Sequence, residues 1–184
     1  MRTNMVHTFV VYVENKPGVL NRVASLFRRR AFNIESLTVG HTERPGVSRM
    51  TIVVETDESG AQRVEAHLYK LVNVLHVQNV TAIPSVFREL AIIKVSAAAN
   101  VRSQILELAV TFRARVVDVA PESVVIEITG TEDKIDGLLE VLQPYGIVET
   151  VRTGRVAMPR GAKAAQFAVA PPEVFAIGDD VYLA

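Results

Sequence analysis

The alternation of apolar and polar positions in the first half of the chain predicts four strands and two helices. Residues 9–13 form an apolar run, and from residue 19 to 27 apolar side chains recur at three- and four-residue steps, which is typical of an amphipathic helix. Pro17 is expected at the first helical position, where its fixed φ is tolerated. Strands are predicted at 9–13, 33–40, 49–56 and 74–83, and helices from Pro17 through Phe27 and from a Ser59 cap through Val72.

The second half repeats this order of elements. Strands are predicted at 90–95, 116–119, 124–128 and 147–156, and helices follow caps at Asn100 and Thr131. Each half then reads β-α-β-β-α-β, in which two helices cover one face of an antiparallel sheet. The halves share a pattern and not residue identities. The predicted fold class is α+β, with two tandem ferredoxin-like domains at residues 6–84 and 89–158.

The segment from 159 to 184 differs in character. It is rich in Ala and Pro and shows no helical or strand period over a useful length. We expect it to be extended or mobile, as termini are unless they are tied down. The alternative is that Phe167, Phe175 and Tyr182 dock on a partner.

Composition and charge narrow the possible functions. The chain of 184 residues is 49% hydrophobic, which is enough for a real core, and its 20 basic and 20 acidic residues give no net charge. A neutral chain argues against a protein whose main task is to hold nucleic acid. There is no Cys, and no apolar stretch approaches the roughly 20 residues of a membrane helix. The expectation is a cytoplasmic protein that binds neither nucleic acid nor membrane.

The sequence contains no arrangement of residues that is typical of a catalytic or metal-binding site. The sequence offers no acid pair, nucleophile triad or phosphate loop, and its four His residues have no metal-ligand spacing. Strand 49–56 lacks the aromatic side chains with which an RNA-binding sheet stacks bases. Arg28, Arg29 and Arg30 form a basic cluster, which is either a nucleic-acid contact or a helix end favoured by the helix dipole.

One short segment does suggest ligand binding. Asn15, Lys16, Pro17 and Gly18 stand between a strand end and a helix start, where unpaired N–H groups and the helix dipole suit a small carboxylate. Gly18 has no Cβ, so a ligand can approach the backbone closely. The alternative is that Pro17 and Gly18 serve only to start the helix.

The segment ENKPGVLNRVASLFRRRAFNIESLTVG, followed by SRMTIVVE and LYKLVNVLHV, resembles the ACT domain of the regulatory (small) subunit of acetolactate synthase, or acetohydroxyacid synthase. NIESLTVG and SRMTI in that order are narrower than a generic ACT signature. The resemblance covers roughly residues 6 to 160, because RELAIIKV, the DVAPES turn and VRTGRVAMPRG are similar to the second domain of that family. The segment after Gly161 extends beyond the region of resemblance.

The resemblance implies a dimer in which two ACT domains pair side by side and bind a branched-chain amino acid, usually valine, between them. On this sequence the contacts fall at Asn15 and Gly18 of one chain and at Asn33 and Ile34 of the other. Asn33 is expected to begin the strand after the helix, where its amide can hold an ammonium or carboxylate group. The full predicted site comprises Asn15, Lys16, Pro17, Gly18, Val19, Leu20, Asn33 and Ile34.

The resemblance also implies a protein without a catalytic site of its own. It would activate the large catalytic subunit and confer feedback inhibition by valine, leucine or isoleucine. Thiamine diphosphate, magnesium and FAD would belong to that partner, and none to this chain. The alternatives are a free-standing amino-acid sensor with no enzyme partner and, against the residue inventory, an enzyme in its own right.

Overall fold

The computed structural model describes residues 4–161, 174–177 and 180–183, and for the last two ranges the backbone alone. The first half contains four strands and two helices in the order β-α-β-β-α-β, as predicted. They are β1 (Met5–Glu14), α1 (Val19–Arg29), β2 (Ser36–His41), β3 (Val47–Thr56), α2 (Glu58–Leu68) and β4 (Val74–Asn79). The strands form one antiparallel sheet in the order β2-β3-β1-β4. The ferredoxin-like fold predicted for this half is confirmed.

The core of the first unit lies between this sheet and its two helices. β1 pairs with β3 so that Phe9 is opposite Ile52 and Val11 is opposite Met50, and all four side chains are buried. Val23 of α1 and Val64 of α2 pack in the same cluster. The apolar stripes that predicted the two helices are therefore their buried faces.

Both helices of this half begin elsewhere than predicted. Gly18 is the N-cap of α1, with φ 81°, so Pro17 lies in the turn and not at the first helical position. Asp57, and not Ser59, caps α2, because its carboxylate accepts the N–H of Gly60 at 2.7 Å. α2 ends at Leu68, and Val72 lies beyond it and is 91% exposed.

β4 is shorter than the predicted strand 74–83. The side-chain oxygen of Asn79 accepts hydrogen bonds from the N–H and the hydroxyl of Thr81, at 3.1 and 2.6 Å. This Asx turn redirects the backbone and ends the strand. β2 likewise begins at Ser36 and not at Asn33, since residues 32–35 connect it to α1.

The second half has the same topology. Its elements are β5 (Ser85–Ser96), α3 (Arg102–Thr111), β6 (Arg115–Val119), β7 (Ser123–Gly130), α4 (Glu132–Leu142), a 3₁₀ turn (Gln143–Tyr145), β8 (Ile147–Arg152) and β9 (Val156–Pro159). The sheet order is β6-β7-β5-β8, and β9 also pairs with β5. Ile93, Ile126, Ile135 and Leu138 are fully buried in its core. The prediction of two ferredoxin-like domains is confirmed.

Local details of the second half differ from the expectation. Val101, and not Asn100, is the N-cap of α3, while Thr131 does cap α4, although without a side-chain hydrogen bond. The predicted strand 147–156 is divided into β8 and β9. Residues 153–155 separate them, and Thr153 turns back to donate its N–H to the carbonyl of Leu90 at 3.0 Å.

The chain divides into two compact units. One comprises residues 1–86 together with 157–184, and the other residues 87–156. Within the first, Arg49 donates a hydrogen bond to the carbonyl of Ala157. Val174–Ile177 and Asp180–Leu183 pair as an antiparallel hairpin, strands β10 and β11, which the tail's composition did not indicate. The rest of the predicted extended or mobile tail, with Phe167, lies outside the described residues, as do the side chains of Phe175 and Tyr182.

Candidate functional site

The turn between β1 and α1 is open to solvent. Asn15, Lys16, Pro17 and Gly18 are all exposed, and a Cβ built on Gly18 would meet no atom within 4 Å. Three backbone hydrogen bonds hold the turn: from Asn15 N–H to the Gly46 carbonyl at 2.8 Å, from Lys16 N–H to the Glu14 carbonyl at 3.0 Å and from Val19 N–H to the Lys16 carbonyl at 3.3 Å. The turn therefore has an exposed backbone that is held in place by hydrogen bonds.

The first turn of α1 provides donors for an anion. No side chain caps this helix end, and it contains no acidic residue. The N–H groups of a helix's first turn have no partner within the helix, and the helix dipole gives this end a partial positive charge. The site residues that follow Gly18 differ in exposure, because Val19 is buried in the core while Leu20 is 44% exposed. The side chain of Leu20, but not that of Val19, can contact a ligand.

A hydrogen-bond network that the sequence did not predict anchors the turn between β1 and α1. Asn73, in the connection from α2 to β4, donates its amide to the Glu14 carboxylate and accepts a bond from Arg22 of α1, both at 2.5 Å. Its backbone carbonyl accepts the N–H of Glu14 at 2.9 Å. Lys16 lies 3.7 Å from the same carboxylate. One residue thus ties the end of β1 to the first turns of α1.

The other two predicted contacts lie in the connection from α1 to β2. Asn33 is exposed, and its amide donates to the Glu35 carboxylate at 2.5 Å. Ile34 is half-buried and packs against the core. The N–H of Glu35 bonds the carbonyl of Val53 at 2.9 Å, which anchors the connection to β3. The Asn33 amide is therefore held beside an acidic side chain.

The structure brings together the residues from Asn15 to Leu20, but it does not bring Asn33 and Ile34 to them. Gly18 precedes α1 and Asn33 follows it, and a helix of 11 residues is about 16 Å long at 1.5 Å per residue. β1 and β2 both pair antiparallel with β3, so they run in the same direction. Asn15 and the end of β2 consequently lie together, with the Asn15 amide 3.5 Å from Nδ1 of His41.

An exposed apolar residue lies at the edge of the first sheet. β2 is a terminal strand of that sheet, and within the described part of the chain its only strand neighbour is β3. Val39 of β2 is 47% exposed, and it faces the helical side because its partner Met50 is a core residue. Val39 therefore provides apolar surface at this edge, and Leu20 at the start of α1 is partly exposed as well.

Within residues 4–161 no cluster of three or more His, Asp or Glu side chains is arranged to hold a metal ion. His7 is buried on β1, and the other three histidines lie on β2, α2 and β4. None of the described helices is long and apolar enough to cross a membrane.

The fold and this turn define a class of protein: two tandem ferredoxin-like units, the first of which is an ACT domain. Residues 9–76 match the family model for the acetohydroxyacid synthase small subunit-like ACT domain, and residues 88–161 match that for the small subunit of acetolactate synthase. The chain belongs to the acetolactate synthase small-subunit family. The resemblance inferred from its motifs is confirmed.

Individual relatives agree with this assignment. A probable acetolactate synthase small subunit from Archaeoglobus fulgidus is 55% identical over 159 residues, which cover 86% of this chain and 99% of the relative. The acetolactate synthase small subunit of Mycolicibacterium smegmatis is 52% identical over 157 residues, 85% of this chain and 92% of the relative. A crystal structure of the small subunit from Thermotoga maritima superposes with a TM-score of 0.80 at 40% identity, over 86% of this chain and 99% of that one.

Proposed function

We propose that this protein is the regulatory subunit of acetolactate synthase and that it binds a branched-chain amino acid, valine first among them, between the ACT domains of two copies. It would activate the large catalytic subunit and confer feedback inhibition on it. The observation that carries the proposal is the separation of the two predicted half-sites at opposite ends of α1. A site that needs both halves requires a second chain.

The geometry of β2 supports such a pairing. If two β2 strands pair antiparallel across a two-fold axis, the end of one strand adjoins the start of the other. The Gly18 turn, which lies at the end of β2, would then face the partner's connection that contains Asn33 and Ile34. Leu20 and Val39, both partly exposed, would become buried in this interface.

Each part of valine has a counterpart in the assembled site. The carboxylate would accept hydrogen bonds from the backbone of Gly18 and of the first turn of α1. The ammonium group would lie near the carbonyl oxygen of the Asn33 side chain and the Glu35 carboxylate that Asn33 contacts. The isopropyl group would contact Ile34 and Leu20. Lys16, Pro17, Val19 and Asn15 would shape the turn around it.

The catalytic chemistry would belong to the large subunit. We propose that thiamine diphosphate, magnesium and FAD are bound there and that this chain takes part in no bond-making step. The two proteins would work side by side in the cytoplasm. Valine can lower the partner's activity only if it binds one state of the assembly more tightly than another, and a coupling of about 1–3 kcal/mol corresponds to a roughly 5- to 150-fold effect.

Reconstitution tests this proposal. The protein is mixed with the large subunit from the same organism, and acetolactate formation is measured with and without valine, leucine and isoleucine. We expect faster formation than with the large subunit alone, and inhibition by valine. If calorimetry shows that valine binds while acetolactate formation does not respond, the protein is a free-standing sensor. If no branched-chain amino acid binds, the proposed site is wrong.

A further inference from the structure

A second concave surface lies on the helical side of the first unit, away from the Gly18 turn. It is an open cavity of about 470 Å³. This volume falls within the range of about 300–1,000 Å³ that is typical of small-molecule sites. The cavity is lined by Arg29, Arg30, Ala31, Phe32, Arg63 and His67. Three arginines and a histidine therefore line one space.

These arginines have no carboxylate partner among the described residues. The ion pairs found there engage other basic side chains, those of Lys16, Arg44, Lys94, Arg115, Arg152 and Arg155. Arg63 donates from Nε to the carbonyl of Ser59 at 3.3 Å, which leaves the rest of its guanidinium available. The chain as a whole has no net charge, so an unneutralised group of cations is a local feature. Like charges that face one cavity repel each other unless an anion lies between them.

The helix dipole accounts for only part of the cluster. Arg29 lies in the last turn of α1, where the dipole favours a cation. Arg63 is the sixth of the 11 residues of α2, too far from the helix end for this effect. The position of Arg63 opposite Arg29 and Arg30 therefore needs another explanation.

His67 is a titratable group whose pKa depends on the charges of this cluster. It follows Arg63 by four residues and shares its helix face. Its Nδ1 is enclosed and has no hydrogen-bond partner. Burial, together with the positive charges of Arg30, Lys70 and Arg63, lowers the pKa of His67 below its usual 6.5. A bound anion would reverse the electrostatic part of this effect.

We propose that the cavity lined by Arg29, Arg30, Arg63 and His67 binds a small, multiply charged anion of the phosphate type, such as the phosphoryl end of a phosphorylated metabolite. Guanidinium groups bind phosphate oxygens through paired hydrogen bonds, and three arginines line this cavity. Several donors around one concave space favour a small anion over an acidic protein surface, for which a flat basic patch would suffice. The site is separate from the amino-acid site and does not depend on it.

Inorganic pyrophosphate is the probe for the test. The full chain is titrated by calorimetry at pH 7 and low ionic strength, without any amino acid. We expect saturable binding of one pyrophosphate per chain, weakened at least tenfold by Arg63→Gln and by Arg30→Gln. Arg160→Gln is the matched control, because Arg160 is an exposed arginine of the same unit far along the chain from the cavity. Circular dichroism confirms that each variant is folded.

The pH dependence provides a second readout. Because binding favours the protonated imidazole, the pyrophosphate affinity of the wild type relative to that of His67→Gln should rise from pH 8 to pH 6, since protonation of pyrophosphate itself affects both proteins equally. The His67 ring resonance should titrate at higher pH when pyrophosphate is bound. Without the anion, the lowered pKa of His67 means that the unfolded chain binds a proton at this residue more readily than the folded chain does. The free energy of unfolding should therefore decrease as the pH falls below about 6.5. His67→Gln should abolish this loss of stability.

Three outcomes would overturn the proposal. One is the absence of saturable binding. Another is an equal loss of affinity in Arg63→Gln and Arg160→Gln, which indicates non-specific attraction. The third is normal pyrophosphate binding in both cavity variants together with weaker association with the large subunit, because the cluster would then be a docking surface for an acidic protein segment.

Discussion

Gly18 combines two properties that a ligand-binding turn needs. Residues that have a Cβ adopt a φ of 81° only at an energetic cost, and the space that a Cβ would occupy here is open. Asn73 fixes the turn through Glu14 and Arg22, so the turn does not have to be ordered by the ligand. A rigid, exposed backbone at a helix start lowers the entropy cost of binding a small carboxylate.

Replacement of Gly18 by Asp should abolish valine binding while the large subunit is still activated. The new carboxylate would occupy the position of the ligand's carboxylate and repel it. Calorimetry with valine and the acetolactate assay measure the two effects. Gly161→Asp is the matched control, because Gly161 also has a positive φ, 102°, and open space around it. Equal valine affinity in both variants would contradict the assignment of the turn.

At the scale of elements, the first helix of each unit ends in the same way. The N–H of Phe32 bonds the carbonyl of Phe27 and that of Ala31 bonds Arg28, which is a Schellman motif. α3 repeats it with Ala114 and Arg113. The left-handed residues of these motifs are Ala31, with φ 54°, and Arg113, with φ 53°, where glycine is usual. The fold overrides local preference at both positions.

Ala31→Gly should therefore stabilise the protein. Relief of the left-handed strain contributes about 1–2 kcal/mol, and the greater freedom of glycine in the unfolded chain offsets part of it, for a net gain of about 0.5–1 kcal/mol. Denaturant unfolding followed by circular dichroism measures the change. Ala66→Gly, at an exposed position inside α2, should have the opposite sign, with a loss of about 1 kcal/mol. A loss of stability in both variants would contradict this account.

An ion-pair network joins strands and a helix in the second unit. Arg152 of β8 donates to Glu89 of β5, with Nη2 at 2.5 Å, and to Asp136 of α4 at 2.6 Å. Burial by itself lowers the pKa of Arg152, but the hydrogen bonds and charges of Glu89 and Asp136 outweigh it and raise the pKa. Glu89 is only 7% exposed, so Arg152 and not water is the main partner of its carboxylate.

Arg152→Met should destabilise the second unit by about 3 kcal/mol, because it leaves the buried Glu89 carboxylate without its cation. Asp136→Asn should cost less than about 1 kcal/mol, since the side chain of Asp136 is half exposed. Urea unfolding of each variant measures the two changes in the free energy of unfolding. Losses of similar size would show that burial of Glu89 does not control the effect.

At the scale of the whole molecule, the proposed site requires assembly. We expect the protein to be at least a dimer in solution, with β2 and α1 of each copy at the interface. Val39→Lys introduces a charge at the sheet edge and should weaken dimerisation and valine binding together. Light scattering and calorimetry provide the two readouts. Val110→Lys, at a 75% exposed position of α3 in the other unit, should change neither.

Complementation tests directly whether two chains share one site. Gly18→Asp and Asn33→Ala should each abolish or weaken valine binding when present in every chain. In a mixed dimer one site combines the intact Gly18 of one chain with the intact Asn33 of the other, and the second site carries both changes. Mixing the two variants should therefore restore valine binding to about half of the heterodimers' sites. If mixing restores nothing while heterodimers form, the site lies within one chain.

Local patterns in the sequence determined the element order and the fold class. The apolar period from Val19 to Phe27 and the alternation along the strands require only that neighbouring residues bury one face, which is a property of short segments. The Pro-Gly turn that precedes α1 is likewise a feature of a short segment. Helix starts at Gly18, Asp57 and Val101 were misplaced by one or two residues, because several nearby residues can serve as caps and the packing of each helix selects one.

Tertiary structure decided which distant residues meet. Asn73 supports the Gly18 turn although it lies 59 residues from Glu14, and the cavity is lined by both Arg30 and Arg63, which belong to different helical segments. No periodicity connects such pairs, because their contact follows from the packing of α1 and α2 on one sheet. The separation of Gly18 from Asn33 is likewise a consequence of α1 lying straight between them, and that distance is the reason the proposed amino-acid site requires a second chain.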